Sequence, residues 1–122
     1  MKVYVSYKGK KIPIDVLKTG FIRKGLGLTF RTKNTKNLLF DFNRPVTWQG
    51  NLTSFFVFFP FLTLWLDNKN KILDFRVVRP FVFSISQKKK FYKIIEIPLN
   101  KANFPLVKAF LSPKDLKMYY RR

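Results

Sequence analysis

The longest apolar stretch of the sequence, Leu52 to Leu66, limits the folds open to this chain. It reads LTSFFVFFPFLTLWL, and Pro60 divides it near its middle. The stretch is shorter than the roughly 20 apolar residues that a membrane-spanning helix needs. We therefore expect two continuous buried strands, 52–59 and 61–67, at the centre of the core.

Apolar patterning predicts further strands at 2–7, 37–42, 72–85 and 91–99. Turns are expected at KGKK (8–11), in the segment after residue 42 where Pro45 and Gly50 stand, and at QKKK (87–90), which we interpret as a hairpin loop. Two short helices are predicted, one from Asp15 to about Lys24 and one around 106–111 that Pro113 ends. The pattern predicts a mainly β fold, a compact antiparallel β-sandwich or jelly-roll-like barrel with one or two short helices.

The length of 122 residues fits one domain. We expect a single basic β-rich domain over 1–122, with a short basic C-terminal tail at 117–122. Hydrophobic residues make up 47% of the chain and include fifteen Phe, which indicates a folded domain with an aromatic core. No secretory signal is evident in the first residues, so a cytoplasmic location is expected.

Several apolar boxes resemble those of domain-of-unknown-function family 192. They are GLGLTFR (25–31), NLLFDF (37–42), SFFVFFPFLTLWLD (54–67), KILDFRVVRPF (71–81), IIEIPLN (94–100) and LSPKDLK (111–117). The resemblance covers nearly the whole chain and implies a compact β-sandwich or jelly-roll-like fold, with no established activity. The chain departs from the family pattern at Leu62, where the family often has an acid, at Thr29 and at 113–115, where a glycine is missing.

The charge of the chain is unusual for a folded domain, because 25 Lys and Arg stand against 6 Asp and Glu and give a net charge of +19. Repulsion among so many positive charges destabilises the folded domain unless a polyanion neutralises them. The cations cluster along the sequence, and neutralising RNA phosphates would release counterions. The residues predicted to bind nucleic acid are Lys8, Lys10, Lys11, Arg23, Lys24, Arg31, Lys33, Lys36, Lys88, Lys89, Lys90, Arg121 and Arg122.

Aromatic side chains next to these cations are candidates for stacking on unpaired bases. Tyr7, Trp48 and Tyr92 have such positions, although Tyr and Trp also commonly cover core or sheet surface. The C-terminal YYRR is the strongest case, and we expect Tyr119 and Tyr120 to contact RNA together with the two arginines that follow.

The sequence offers few groups for catalysis. It has no Cys and no His, which excludes Cys/His zinc sites, the usual catalytic triads and imidazole acid/base chemistry. Among its carboxylates, Asp41 and Glu96 lie in predicted strands and could meet across a sheet. The alternative is that each acid pairs with one of the surplus cations. We expect no enzyme, no cofactor, no metal and no small-molecule substrate.

These observations predict a non-enzymatic RNA-binding protein, most simply a structural component of the ribosome that contacts rRNA and neighbouring ribosomal proteins. The abundance of Lys, Ile and Phe favours an archaeal source. One alternative is a sequence-independent DNA-binding or chromatin protein, although no recognition helix is evident. A peripheral membrane protein would need an amphipathic helix that the sequence does not offer. A family member with an unknown activity is the remaining alternative.

Overall fold

The protein is described by a computed structural model over residues 1–18, 36–52, 59–79 and 85–120. Its strands are β1 (Lys2–Tyr7), β2 (Lys10–Asp15), β3 (Leu17–Lys18), β4 (Leu38–Leu52), β5 (Phe61–Leu66), β6 (Ile72–Val78) and β7 (Ile85–Pro98), and its helices are α1 (Phe104–Val107) and α2 (Pro113–Tyr120). The predicted class, mainly β with two short helices, is confirmed.

Strands β1 and β2 form an antiparallel hairpin. Val3 and Val5 are buried while Tyr4 is exposed, which is the period-two pattern of a half-buried strand. The hairpin closes over Lys8 and Gly9, whose φ angles of 50° and 77° are both positive. A two-residue hairpin turn of type I′ has positive φ at both central positions, and Gly adopts such a φ without steric cost. The turn is therefore shorter than the predicted KGKK, since Lys10 and Lys11 belong to β2.

The other five strands form one sheet in the order β3-β4-β7-β5-β6. The short β3 runs parallel to β4, and the remaining neighbours are antiparallel. All six residues of β5 are buried, which confirms a strand covered on both faces at Phe61–Leu66. Most of the other strand predicted in this apolar stretch, residues 53–58, lies outside the described ranges.

Strand β4 has an irregularity near its middle, and such bulges bend a strand. Its pairing with β7 shifts register between Asp41 and Val46, where Asn43 has a φ of 58° and donates its N–H to Asp41 Oδ1 at 2.9 Å. Asn adopts this left-handed conformation more readily than most residues, and Pro45 cannot donate to the ladder. The predicted loop after residue 42 is wrong, because β4 continues through this bend to Leu52.

Two apolar cores lie on opposite faces of the sheet. The first core joins the β1–β2 hairpin and the C-terminal helical region to one face, through residues that include Val5, Leu64, Ile95 and Val107. The second core is rich in aromatic residues and includes Phe40, Phe61, Trp65, Phe91 and Ile94. Residues of β5 and β7 contribute to both cores, in alternation along each strand. Because an apolar core covers each face of the sheet, the segments of β5 and β7 that pair with each other have almost no exposed residue.

The helical regions differ from the prediction in position. Asp15 does not begin a helix, because it is the last residue of β2 and β3 follows at once, while residues 19–24 lie outside the described ranges. Helix α1 begins at Phe104 and ends at Val107, earlier than expected. Pro113 begins α2, since proline suits the first helical turn. Residues 117–120 of the predicted tail are therefore helical.

Candidate nucleic-acid interface

The lysine run at 88–90 lies inside strand β7 and not in a hairpin loop. Strand β7 begins at Ile85 and pairs with β4 through Leu52–Ile85 and Trp48–Gln87. The prediction of a turn at QKKK is wrong, because three consecutive lysines can occupy a strand whose outer side meets water. Successive side chains of a strand point to opposite faces of the sheet, so Lys88 and Lys90 lie on one face and Lys89 on the other.

The odd-numbered residues of this segment contact the protein itself, although Lys89 is exposed. Gln87 is buried and its Nε2 donates to Asp74 Oδ2 at 2.9 Å, while Lys89 Nζ donates to the carbonyl of Leu73 at 3.1 Å. Phe91 is fully buried in the second core. These contacts fold the first half of β7 towards β6, and they engage Lys89 with the protein itself.

Lys88 and Lys90 are the even-numbered residues and face outward by the same alternation. Both are exposed, and neither ammonium group has a hydrogen-bond or ion-pair partner in the part of the chain that the structure describes. On the adjacent strand β4, Thr47 is also exposed and lies between the register pairs Val46–Phe91 and Trp48–Gln87. We call the surface formed by Lys88 and Lys90, with the neighbouring Thr47, the lysine face. The sequence analysis missed Thr47, because it treated its segment as a loop.

The other predicted cations do not gather at one place. Lys8, Lys10 and Lys11 are exposed at the end of the β1–β2 hairpin, where Lys8 Nζ lies 5.3 Å from the ring centroid of Tyr7. Lys36 is exposed just before β4. Arg23, Lys24, Arg31, Lys33, Arg121 and Arg122 lie outside the described residues.

Tyr119 and Tyr120 lie on α2, half-buried and packed against the first core. The rings of Tyr120 and Phe104 meet edge to face with centroids 5.0 Å apart. Burial raises the pKa of the Tyr120 hydroxyl to about 12, and this hydroxyl has no hydrogen-bond partner among the described residues. Much of both rings therefore serves packing, and their contact with RNA stays a prediction.

The carboxylates bond mainly to main-chain groups. Asp41 accepts from the N–H of Asn43, and Asp67 Oδ1 accepts from the N–H groups of Lys69 and Lys71 at 2.8 and 2.9 Å. Asp74 accepts from the N–H of Phe75 and from Gln87. These acids stabilise turns and strand contacts through hydrogen bonds that do not involve lysine ammonium groups, so much of the surplus positive charge stays available at the surface.

Asp41 and Glu96 do not meet. Asp41 is in register with Lys93, whereas Glu96 lies between Leu38 and Thr63. Positions 38 and 41 of β4 differ by an odd number, which places Asp41 and Glu96 on opposite faces of the sheet. The acid pair that the sequence suggested is therefore absent from the described structure.

Glu96 is instead an isolated carboxyl in the sheet interior. Its exposed fraction is 2%, and burial raises its pKa from 4.5 to about 8. In the described structure Glu96 Oε1, Thr63 Oγ1 and Trp65 Nε1 all lack hydrogen-bond partners. A carboxyl so placed is neutral at pH 7, because removing an ion from water costs more than protonating it.

Two further properties bear on function. The described residues contain no group of three or more His, Cys, Asp or Glu that could hold a metal ion. Helices long and apolar enough to cross a membrane are also absent from the described ranges.

Comparison with known proteins gives likeness at the level of fold. No protein family model matches the chain, and no curated protein matches it either. A protein of unknown function from Novosphingobium aromaticivorans DSM 12444 is 16% identical, with a TM-score of 0.57 over 86% of this chain and 76% of that one. A "putative transcription regulator" from Sinorhizobium meliloti 1021 is 20% identical, with a TM-score of 0.62 over 90% of this chain and 84% of that one. At these identities the chain shares their fold.

Proposed function

We propose that this protein is a non-enzymatic RNA-binding protein that holds RNA phosphates on the lysine face of β4 and β7. It acts as a component of a cytoplasmic ribonucleoprotein, most simply the ribosome, with RNA and neighbouring proteins as its partners. The observation that carries the proposal is the pair of exposed lysines, Lys88 and Lys90, whose ammonium groups have no partner in the described structure.

The balance of charge supports this proposal. The chain carries +19, and Asp41, Asp67 and Asp74 accept hydrogen bonds from main-chain and amide groups. A domain whose acids do not neutralise its lysines gains most from a partner with dense negative charge. RNA phosphates offer that charge, and the release of their counterions drives binding without sequence specificity.

The arrangement of the lysines supports contact with a backbone. Lys88 and Lys90 are two residues apart on one strand, and alternate strand residues lie about 6.6 to 6.8 Å apart. An extended single strand of RNA carries its phosphates at regular intervals, and the flexible side chains of lysines can adjust to that spacing. Tyr92, two residues further along, is half-buried and offers a ring beside this path.

We further propose that the chain is a divergent, strongly basic member of domain-of-unknown-function family 192. The boxes quoted from its sequence support this assignment. The family has no established activity, so membership adds no reaction to the proposal.

Sequence-independent DNA binding is the second candidate. The description of the Sinorhizobium meliloti protein as a transcription regulator favours it, since that protein shares the fold. The same lysine face would meet duplex phosphates, which lie closer together along the helix axis than those of a single strand.

Sedimentation of a lysate from the source cells tests the proposal. The lysate is run through sucrose gradients at low and high salt, after treatment with RNase, DNase or neither, and the chain is followed by mass spectrometry. We expect the chain to travel with a ribosomal subunit or another RNA particle, to leave it in high salt, and to be released by RNase. Release by DNase instead would replace RNA with DNA as the partner, and free chain in every gradient would overturn both.

A further inference from the structure

A polar cleft of about 430 Å³ lies where the β1–β2 hairpin, the start of β4 and the turn after β7 meet. The residues that line it are Met1, Asp15, Val16, Lys36, Asn37, Asn100, Ala102 and Asn103. Three of them are asparagines, of which Asn100 and Asn103 lie in one turn and Asn37 lies far from both in the sequence. The volume falls in the range of sites that hold small ligands.

Two of the asparagines are held by main-chain carbonyls. Asn37 Nδ2 donates to the carbonyl of Asp15 at 3.1 Å, and Asn103 Nδ2 donates to the carbonyl of Pro98 at 2.8 Å and to Asn37 Oδ1 at 3.0 Å. Carbonyl oxygens can only accept, so these bonds determine which end of each amide is nitrogen. The cleft therefore presents polar atoms in fixed positions.

These two amides keep hydrogen-bonding capacity beyond their mutual contacts. Asn37 Nδ2 has a second proton, and Asn37 Oδ1 has a second lone pair. Asn103 uses both of its N–H groups, which leaves its Oδ1 as a further acceptor. Asn37 lines the cleft and is only 8% exposed, so a ligand that bonded to it would be largely shielded from water. A donor beside an acceptor on one amide matches the edge of a nucleobase, as in the pairing of Asn with adenine.

The surroundings of the cleft favour an anion. Lys36 lines it, Lys101 lies between two of its lining residues, and both are exposed. Lys2 is exposed and in register with Asp15, the one carboxylate residue of the lining. A ligand with a base and a phosphate would meet the amides and the ammonium groups together.

We propose that this cleft binds the base of an unpaired nucleotide in RNA, with the adjoining phosphate towards Lys36. The inference rests on the proposed RNA binding and adds base contact at a second place on the molecule. Single-stranded RNA presents splayed bases whose edges are free to bond, whereas a duplex hides them. The cleft would thus make the protein prefer single strands to duplexes.

The test uses a substitution that fills the cleft and keeps the asparagine bonds. The chain has two alanines, Ala102 and Ala109, and both are exposed in turns, but only Ala102 lines the cleft. Ala102→Leu is compared with Ala109→Leu as the matched control. Thermal unfolding confirms that both variants fold. Binding of a single-stranded RNA oligonucleotide and of an RNA duplex of equal length is then measured by fluorescence anisotropy.

We expect Ala102→Leu to weaken single-strand binding about tenfold, the effect of losing one base contact. Duplex binding and the salt dependence should not change, and Ala109→Leu should behave as the wild-type protein. Equal affinities of the two leucine variants for the single strand would overturn the cleft proposal while leaving RNA binding by the lysine face intact. Absence of RNA binding by the wild-type protein would instead overturn the proposed function.

A nuclear magnetic resonance titration separates RNA from free nucleotide as the source of the base. The side-chain amide signals of Asn37 and Asn103 are followed while the oligonucleotide or a nucleoside monophosphate is added. We expect the oligonucleotide to shift them at a lower concentration than the monophosphate does. Shifts caused by the monophosphate alone would overturn the assignment to RNA.

Discussion

The two halves of β7 differ although they form one continuous strand. The first half, 85–90, includes exposed Lys88, Lys89 and Lys90, whereas in the second half, 91–98, six of eight residues are buried. The second half pairs with β4 on one side and β5 on the other. In the described structure, the first half has only β4 as a ladder partner. One strand thus serves as the centre of the sheet and as part of its surface.

This difference shows that lysines on a strand have two possible roles. Exposed sheet edges attract other strands, and lysine is a common residue that prevents such pairing. The same lysines, with acids engaged elsewhere, form the surface that we propose binds phosphates. Protection of an edge requires only that the charge be present, whereas RNA binding requires that these particular lysines contribute to affinity.

The largest contrast between the halves should appear in stability. Ile95 is fully buried in the first core, and Ile95→Ala should lower the free energy of unfolding by about 2 to 5 kcal/mol through lost burial and a cavity. Lys88→Ala on the exposed half should change it by less than about 0.5 kcal/mol. Urea unfolding monitored by tryptophan fluorescence measures both. Similar losses of unfolding free energy in the two variants would contradict the distinction between a buried and an exposed half of β7.

A second effect concerns the pH dependence of stability, which the buried Glu96 in the second half of β7 should cause. Glu96 has a pKa of about 8 in the folded protein against 4.5 as its ordinary value, so the folded state keeps its proton over a range where the unfolded state has lost it. Stability from this group is therefore fully present below about pH 4.5 and declines as the pH rises towards about 8, by roughly 1.4 kcal/mol per pH unit.

Glu96→Gln removes this dependence, because the amide does not ionise. At pH 7 the variant should be more stable than the wild-type protein by on the order of 3 kcal/mol, and the difference should shrink towards pH 5. Urea unfolding of both proteins between pH 5 and pH 8 provides the test. A difference that is constant with pH would mean that the carboxyl is ionised, and paired, in the folded protein.

A smaller effect than that of Glu96→Gln is expected for the residue opposite Glu96. Thr63 is fully buried, and its hydroxyl lacks a hydrogen-bond partner in the described structure. No hydrogen bond therefore compensates for the desolvation of this hydroxyl. Thr63→Val keeps the shape of the side chain and should raise the free energy of unfolding by about 1 kcal/mol. A loss of similar size would indicate that the hydroxyl is hydrogen-bonded, for instance to Glu96.

Sequence patterns predicted the parts of the fold that depend on local periodicity. The alternation of Val3 and Val5 and the apolar run Phe61–Leu66 predicted β1 and β5, and both formed. The pattern failed where tertiary contacts override turn signals. Pro45 and the lysine run suggested loops, but the bend at Asn43 lets β4 continue, and Gln87 and Lys89 bond to β6.

The candidate site was predicted in composition but not in geometry. The sequence predicted Lys88, Lys89 and Lys90 alike as RNA contacts, whereas the separation of Lys89 from the other two depends on which side of β7 each occupies. The cleft was missed because Asn37, Asn100 and Asn103 come together only when β4 and the turn after β7 meet. Isolated asparagines carry no spacing that a sequence pattern could detect.

The salt dependence of RNA binding tests most directly whether the lysine face contacts phosphates. Lys88→Ala/Lys90→Ala is compared with Lys114→Ala/Lys117→Ala on α2, since all four lysines are exposed and each pair removes two charges. Affinity for single-stranded RNA is measured between 50 and 200 mM salt, a range taken from the strong dependence expected of phosphate contacts. The negative slope of log binding constant against log salt concentration should become less steep by about 1.4 when the two β7 lysines are replaced, and should not change when the two α2 lysines are replaced. Equal slopes for the two variants would contradict the lysine face and leave edge protection as the role of these lysines.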